Sequence, residues 1–109
     1  MRLFIIDWSN EASTPLLDLC KGSAHTIAGH ELKDGAEAYR KTAQCKPDAI
    51  VVNYAVKPSH GRVTAEQIYK RKVTSEIPIY FIDGAEDDNE KVEHFGLCLS
   101  EEELEELLN

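Results

Sequence analysis

Short apolar runs alternate with helix-start signals along the whole chain, and this rhythm limits what it can fold into. Leu3-Phe4-Ile5-Ile6 is a continuous apolar run closed by Asp7. Runs of this kind fit strands buried on both faces. Thr14-Pro15 then supplies a helix N-cap with proline at the first helical position, Leu16, Leu17, Leu19 and Cys20 give an apolar stripe, and Gly22 is a stop. His25 to Glu31 is a weaker strand signal centred on Thr26 and Ile27. Asp34 and Glu37 are spaced as a capping box before Ala36, Tyr39 and Ala43, and Lys46-Pro47-Asp48 breaks that helix. Ala49 to Val52 is the next strand, closed by Asn53. The loop after it is read as holding Lys57, Pro58, His60 and Gly61, with a helix capped by Thr64 and Gln67 and carrying Ile68, Tyr69 and Val73.

The same alternation continues to the end. Ile77 to Ile82 reads as a buried strand closed by Asp83. Asp87 and Glu90 cap a short helix reaching Phe95, and Gly96 stops it. Leu97-Cys98-Leu99 is a minimal strand. Ser100 and Glu103 form a last capping box, with Leu104, Leu107 and Leu108 lining the helix behind it. Five strand–helix units with connections this short imply one parallel sheet covered by helices on both faces. Ligands of open parallel sheets bind at the carboxyl ends of the strands, where Asp7, Asn53 and Asp83 all stand.

Size and charge narrow the function. The 109 residues suit one domain spanning 1–109. No apolar run approaches the roughly 20 residues that span a bilayer, and the opening stretch is short for a signal peptide, so the chain reads as cytoplasmic. Cys20, Cys45 and Cys98 have no metal-ligand spacing and read as reduced thiols. The net charge is −8, the wrong sign for a nucleic-acid or anionic-membrane partner. Asp83 to Asn109 holds eleven acidic residues and one lysine, Lys91, which favours a protein partner with a basic patch. There is no GxGxxG, Walker or GxSxG motif. The first loop, DWSNEASTP, lacks the glycine of a phosphate-binding loop, although its Ser and Thr hydroxyls are available to a phosphate.

The central segment DGAEAYRKTAQCKPDAIVVN resembles the receiver domain of bacterial response regulators, with Gly61 eight residues past Asn53. IPIYFIDG resembles that family's fourth strand, and SEEELEELL its last helix. The resemblance covers nearly the whole chain. It implies an α/β, flavodoxin-like three-layer sandwich with a five-stranded parallel sheet in the order 2-1-3-4-5. With only twelve residues between Asp83 and Gly96, the fourth helix is expected to be shortened.

The family's chemistry does not carry over. Asn53 stands where the family has its phosphate-accepting aspartate, and an amide is no anionic nucleophile. Asp7 is followed by Trp8 rather than by a second metal-binding acid. Asp83 replaces a Ser or Thr that binds the phosphoryl group, and its charge repels phosphate. FGLCLSEEE lacks the lysine that closes the site. The pattern is similar to the pseudo-receiver subset: no enzyme activity, no cofactor, and work done through surfaces. Glu101, Glu102 and Glu105 mark the implied interaction face, and a homodimer is also compatible. Trp8, Lys57 and His60 are expected at the rim of the remnant pocket, with Trp8 packed over it. The alternative is a weak enzyme or ligand-binding protein whose divalent metal is held by Asp7, Asn53 and Asp83.

Overall fold

The computed structural model of the protein describes residues 1–9, 11 and 14–109. Five strands, β1 (Arg2–Ile6), β2 (Thr26–Glu31), β3 (Ala49–Asn53), β4 (Ile79–Ile82) and β5 (Leu97–Leu99), form one sheet in the order β2-β1-β3-β4-β5. All four pairings are parallel. Five helices connect or follow them: α1 (Pro15–Lys21), α2 (Gly35–Cys45), α3 (Pro58–Lys70), α4 (Glu86–Glu90) and α5 (Glu101–Leu108). α4 has only five residues, the shortening expected from the sequence.

Alternation along each strand sorts the core into two layers. Phe4, Ile6, Ile50, Val52, Ile79 and Phe81 point to one face, where Ala38 of α2 and Ala65 and Ile68 of α3 cover them. Leu3, Ile5, Ala49, Val51 and Ile82 point to the other, beneath Leu16, Leu17 and Cys20 of α1 and Leu104 and Leu108 of α5. Fully burying each large aliphatic side chain contributes about 1.5–3 kcal/mol, so both layers hold the central strands in the interior. Among the described residues no helix is long and apolar enough to cross a membrane.

Capping agrees with the sequence at three helices. Thr14 Oγ1 accepts from the Leu17 N–H, and Asp34 Oδ1 from that of Ala36. Ser100 and Glu103 make both bonds of a capping box. Elsewhere the structure corrects the reading. Glu37 closes no box; its carboxylate pairs with Arg40. α3 begins at Pro58, six residues before Thr64, because Lys57 takes a left-handed conformation and Pro58 fills the first helical position. Pro58, His60 and Gly61 are therefore helical rather than loop residues, and Thr64 is a buried interior position. Val73 lies on a separate 3-10 turn, Lys72–Thr74, and is exposed. α4 ends at Glu90, not at Phe95, and no side chain caps its start. Ala36 is exposed, while Ala38 and Thr42 form the buried face of α2. Leu107 is 45% exposed, because only Leu104 and Leu108, four residues apart, share the inward face of so short a helix.

Two polar side chains lock the layers. Arg71 donates to the Tyr39 carbonyl at 2.6 Å and to Thr42 Oγ1 at 2.9 Å, with its guanidinium 3.9 Å from the Tyr39 ring centroid, tying the end of α3 to α2. His25, to which the sequence assigned no role, donates from Nε2 to the Leu108 carbonyl at 2.8 Å and holds the end of α5 beside β2.

Candidate functional site

Parallel pairing places Asp7, Asn53 and Asp83 on one edge of the sheet. Ile6 is in register with Val52, and Asn53 with Ile82, so the three polar residues end adjacent strands. Their side chains, however, turn to separate local partners. Asp7 is fully buried; its Oδ1 accepts from the Ser9 amide at 3.1 Å and the Ser9 hydroxyl at 2.5 Å. Its Oδ2 has no partner among the described residues. Asn53 Oδ1 accepts from the Ala55 N–H at 3.2 Å, which closes a turn after β3. Asp83 has φ 57° and its Oδ1 accepts from the Glu101 N–H at 3.0 Å, so it caps the start of α5 from another loop. A left-handed conformation is uncommon for a non-glycine residue and is tolerated best by Asn and Asp.

This arrangement does not favour the three as a cation site. No group of three or more His, Cys, Asp or Glu among the described residues is placed to hold a metal ion. Two of the three candidate side chains each give an oxygen to a backbone N–H near a turn or helix start, and Asp7 gives one to Ser9. The hydroxyls of the first loop are likewise engaged. Ser9 holds Asp7 and Thr14 caps α1, while Ser13 lies outside the described residues.

Trp8 is 2% exposed and belongs to the core layer under α2 and α3. Its ring centroid lies 4.2 Å from that of His60. Gly61 makes this fit: a methyl group there would stand 3.3 Å from Val52 Cγ1 and 3.5 Å from the indole nitrogen. The glycine that the sequence placed in a loop therefore lets the first turn of α3 press against Trp8. Tyr54, the largest fully buried side chain, donates to the Asp88 carbonyl at 2.9 Å. Burial, with the Asp88 charge nearby, pushes its phenol above the ordinary range.

Open space at this edge lies on both sides of Asp7 and Asn53. A cleft of about 420 Å³ is lined by Trp8, Leu32, Lys33, Lys57 and His60. Trp8, Lys57 and His60, expected at the rim of the remnant pocket, line this cleft beside it. Lys33 and Leu32 escaped the sequence reading, although both directly follow β2 and so must reach the same edge. At the β5 side, a second recess of about 380 Å³ is lined by Asp83, Ser100, Glu101, Glu102 and Glu105. The three glutamates singled out from the sequence thus share one surface, with Glu102 and Glu105 exposed and Glu101 half-buried by its bond to Asp83.

Sheet order, crossover helices on both faces and a truncated α4 define a receiver-like, flavodoxin-like fold. Among solved structures the chain is similar to the signal receiver domain of a modulated diguanylate cyclase from Desulfovibrio desulfuricans G20, described as an example of alternate folding. The TM-score is 0.65 and the identity 19%, over 91% of this chain and 79% of that one. At this identity the likeness establishes the fold. No protein-family model and no curated protein matches the chain.

Proposed function

We propose that the protein is a pseudo-receiver, a receiver-fold module that acts in bacterial two-component signalling without being phosphorylated. The observation that carries this reading is Asn53: the residue at the phospho-acceptor position is an amide whose oxygen is bound into its own turn. Three further positions support it. Trp8 rather than a second acid follows Asp7 and is buried in the core, Asp83 is spent on the α5 cap, and Ser100 rather than a lysine follows β5. The similar solved structure is a signal receiver domain, which supports a signalling role.

In this reading the module is a cytoplasmic binding unit rather than an enzyme, and its working surface is the face of β5 and α5. Glu101, Glu102 and Glu105 supply charge, and Leu97 and Leu107, 52% and 45% exposed, supply apolar area. A two-fold homodimer through this face would set the glutamates against their own copies, so a protein with a basic patch fits better.

Two measurements test the proposal. Incubation with acetyl phosphate and Mg²⁺, followed by intact-mass analysis, should show no phosphoryl adduct; a stoichiometric adduct overturns phosphorylation independence. The variant with Glu101, Glu102 and Glu105 replaced by Lys should fail to capture the protein partner that the wild-type chain captures, and undiminished capture overturns the assignment of the face.

A further inference from the structure

We infer that the cleft between β2 and α3 is a binding site for a small organic phosphate, separate from the retired phospho-acceptor position. Three chain segments converge on it: Trp8 after β1, Leu32 and Lys33 after β2, and Lys57 with His60 at the start of α3. The chain has twenty acidic residues against twelve basic ones, yet among the described residues no carboxylate lines this cleft. The neighbouring acids are already engaged. Glu31 pairs with the Lys41 ammonium at 2.8 Å and accepts from the N–H groups of Lys33 and Asp34. Asp34 caps α2 and Asp7 holds Ser9. Neither Lys33 nor Lys57 has an ion-pair partner among the described residues.

One more feature selects an anion. α3 has thirteen residues and no side chain caps its N-terminus, which leaves the positive end of its dipole facing this edge. Trp8, 2% exposed, walls the cleft with the ring that packs on His60, while its indole nitrogen turns inward to Gly61. Two ammonium groups match the two charges of a phosphate monoester better than the single charge of a carboxylate. The volume leaves room beyond a phosphate, and Leu32 with the paired Trp8 and His60 rings offers that remainder an apolar wall. The site does not depend on the pseudo-receiver reading, since none of its residues lies at the acceptor position.

Trp8 is the only tryptophan, so its fluorescence reports on the cleft alone. Titration with ribose 5-phosphate should give a saturable change in emission and shift the Trp8 indole N–H resonance, with inorganic phosphate binding more weakly and ribose not at all. Charge-assisted hydrogen bonds to phosphate predict that Lys33→Gln and Lys57→Gln each weaken binding at least about tenfold, with circular dichroism unchanged. No saturable response by either readout overturns the proposal, as does equal affinity in the double variant. Equal affinity for inorganic phosphate and ribose 5-phosphate overturns the organic-phosphate assignment.

Discussion

Asp7 gives the sharpest test of whether this sheet edge holds a cation. The carboxylate is fully buried, and one of its oxygens has no partner among the described residues. An unsatisfied buried polar group costs about 1–3 kcal/mol, and more when it is charged. Asp7→Asn keeps the oxygen that accepts from Ser9 and exchanges the orphaned oxygen for a neutral amine. The new group is still unpaired, so only part of the penalty is relieved. The variant should therefore be more stable by about 1–2 kcal/mol at pH 7. Urea unfolding followed by far-ultraviolet circular dichroism and by Trp8 emission measures this, and an unchanged slope shows that the compared states are the same. Millimolar Mg²⁺ should leave the wild-type midpoint unmoved, since a bound cation would raise it by mass action. A loss of more than about 1 kcal/mol in Asp7→Asn would refute the reasoning, because exchanging a charged unpaired group for a neutral one should relieve part of the penalty. A Mg²⁺-dependent rise in the wild-type midpoint would also refute it and restore the cation site.

Two further predictions concern the fold around this edge. A methyl group on Gly84 would overlap both the Tyr54 ring and Asn89 Oδ1, so Gly84→Ala should destabilise by about 1–3 kcal/mol through overpacking, read as a lower urea midpoint. Desolvation raises the Glu31 carboxyl pKa, but the Lys41 ammonium and the N–H groups of Lys33 and Asp34 outweigh it and leave the pKa below its ordinary value. A group depressed on folding stabilises above its unfolded pKa and loses that contribution as pH falls through the folded one. Glu31→Gln should thus be less stable than wild type at neutral pH, with the gap closing as pH falls below the ordinary glutamate range. A gap that persists undiminished in acid would show that the loss comes from packing and not from charge.

The sheet was legible because its signal is redundant. β1, β3 and β4 are continuous apolar runs, and their burial on both faces leaves little choice of partner layer. The start of α3 was misread although Pro58 carried the same signal that located α1 at Pro15. Gly61 and the family-like loop drew the reading towards an irregular segment, whereas packing against Trp8 makes the segment helical from Pro58. The positions of Asp7, Asn53 and Asp83 at one edge followed from strand ends alone. Their partners did not, since each bond is set by a backbone turn or by a distant helix: Asp83 reaches Glu101 across eighteen positions. Lys33 was overlooked for a related reason. β2 is the weakest strand signal, and an uncertain strand end gives no edge on which to place the next residue.

The polar side chains at this edge are used by the fold itself. A working site must keep several polar groups free for a ligand, and such groups cost stability whenever the ligand is gone. In this chain Asn53 closes a turn and Asp83 caps α5, so those side chains now contribute to folding. Asp83 also ties the end of β4 directly to the first residue of α5, which fixes Glu101 at this edge of the sheet. The acidic face then lies beyond β4, at the β5 edge, while the cationic cleft lies at the opposite edge, by β2. Three strands, β1, β3 and β4, separate the two edges, and their apolar side chains form the core. Substitutions at the two surfaces share no contact and should act additively. The fold therefore presents two separate surfaces of opposite sign, one for each of the two proposed ligands.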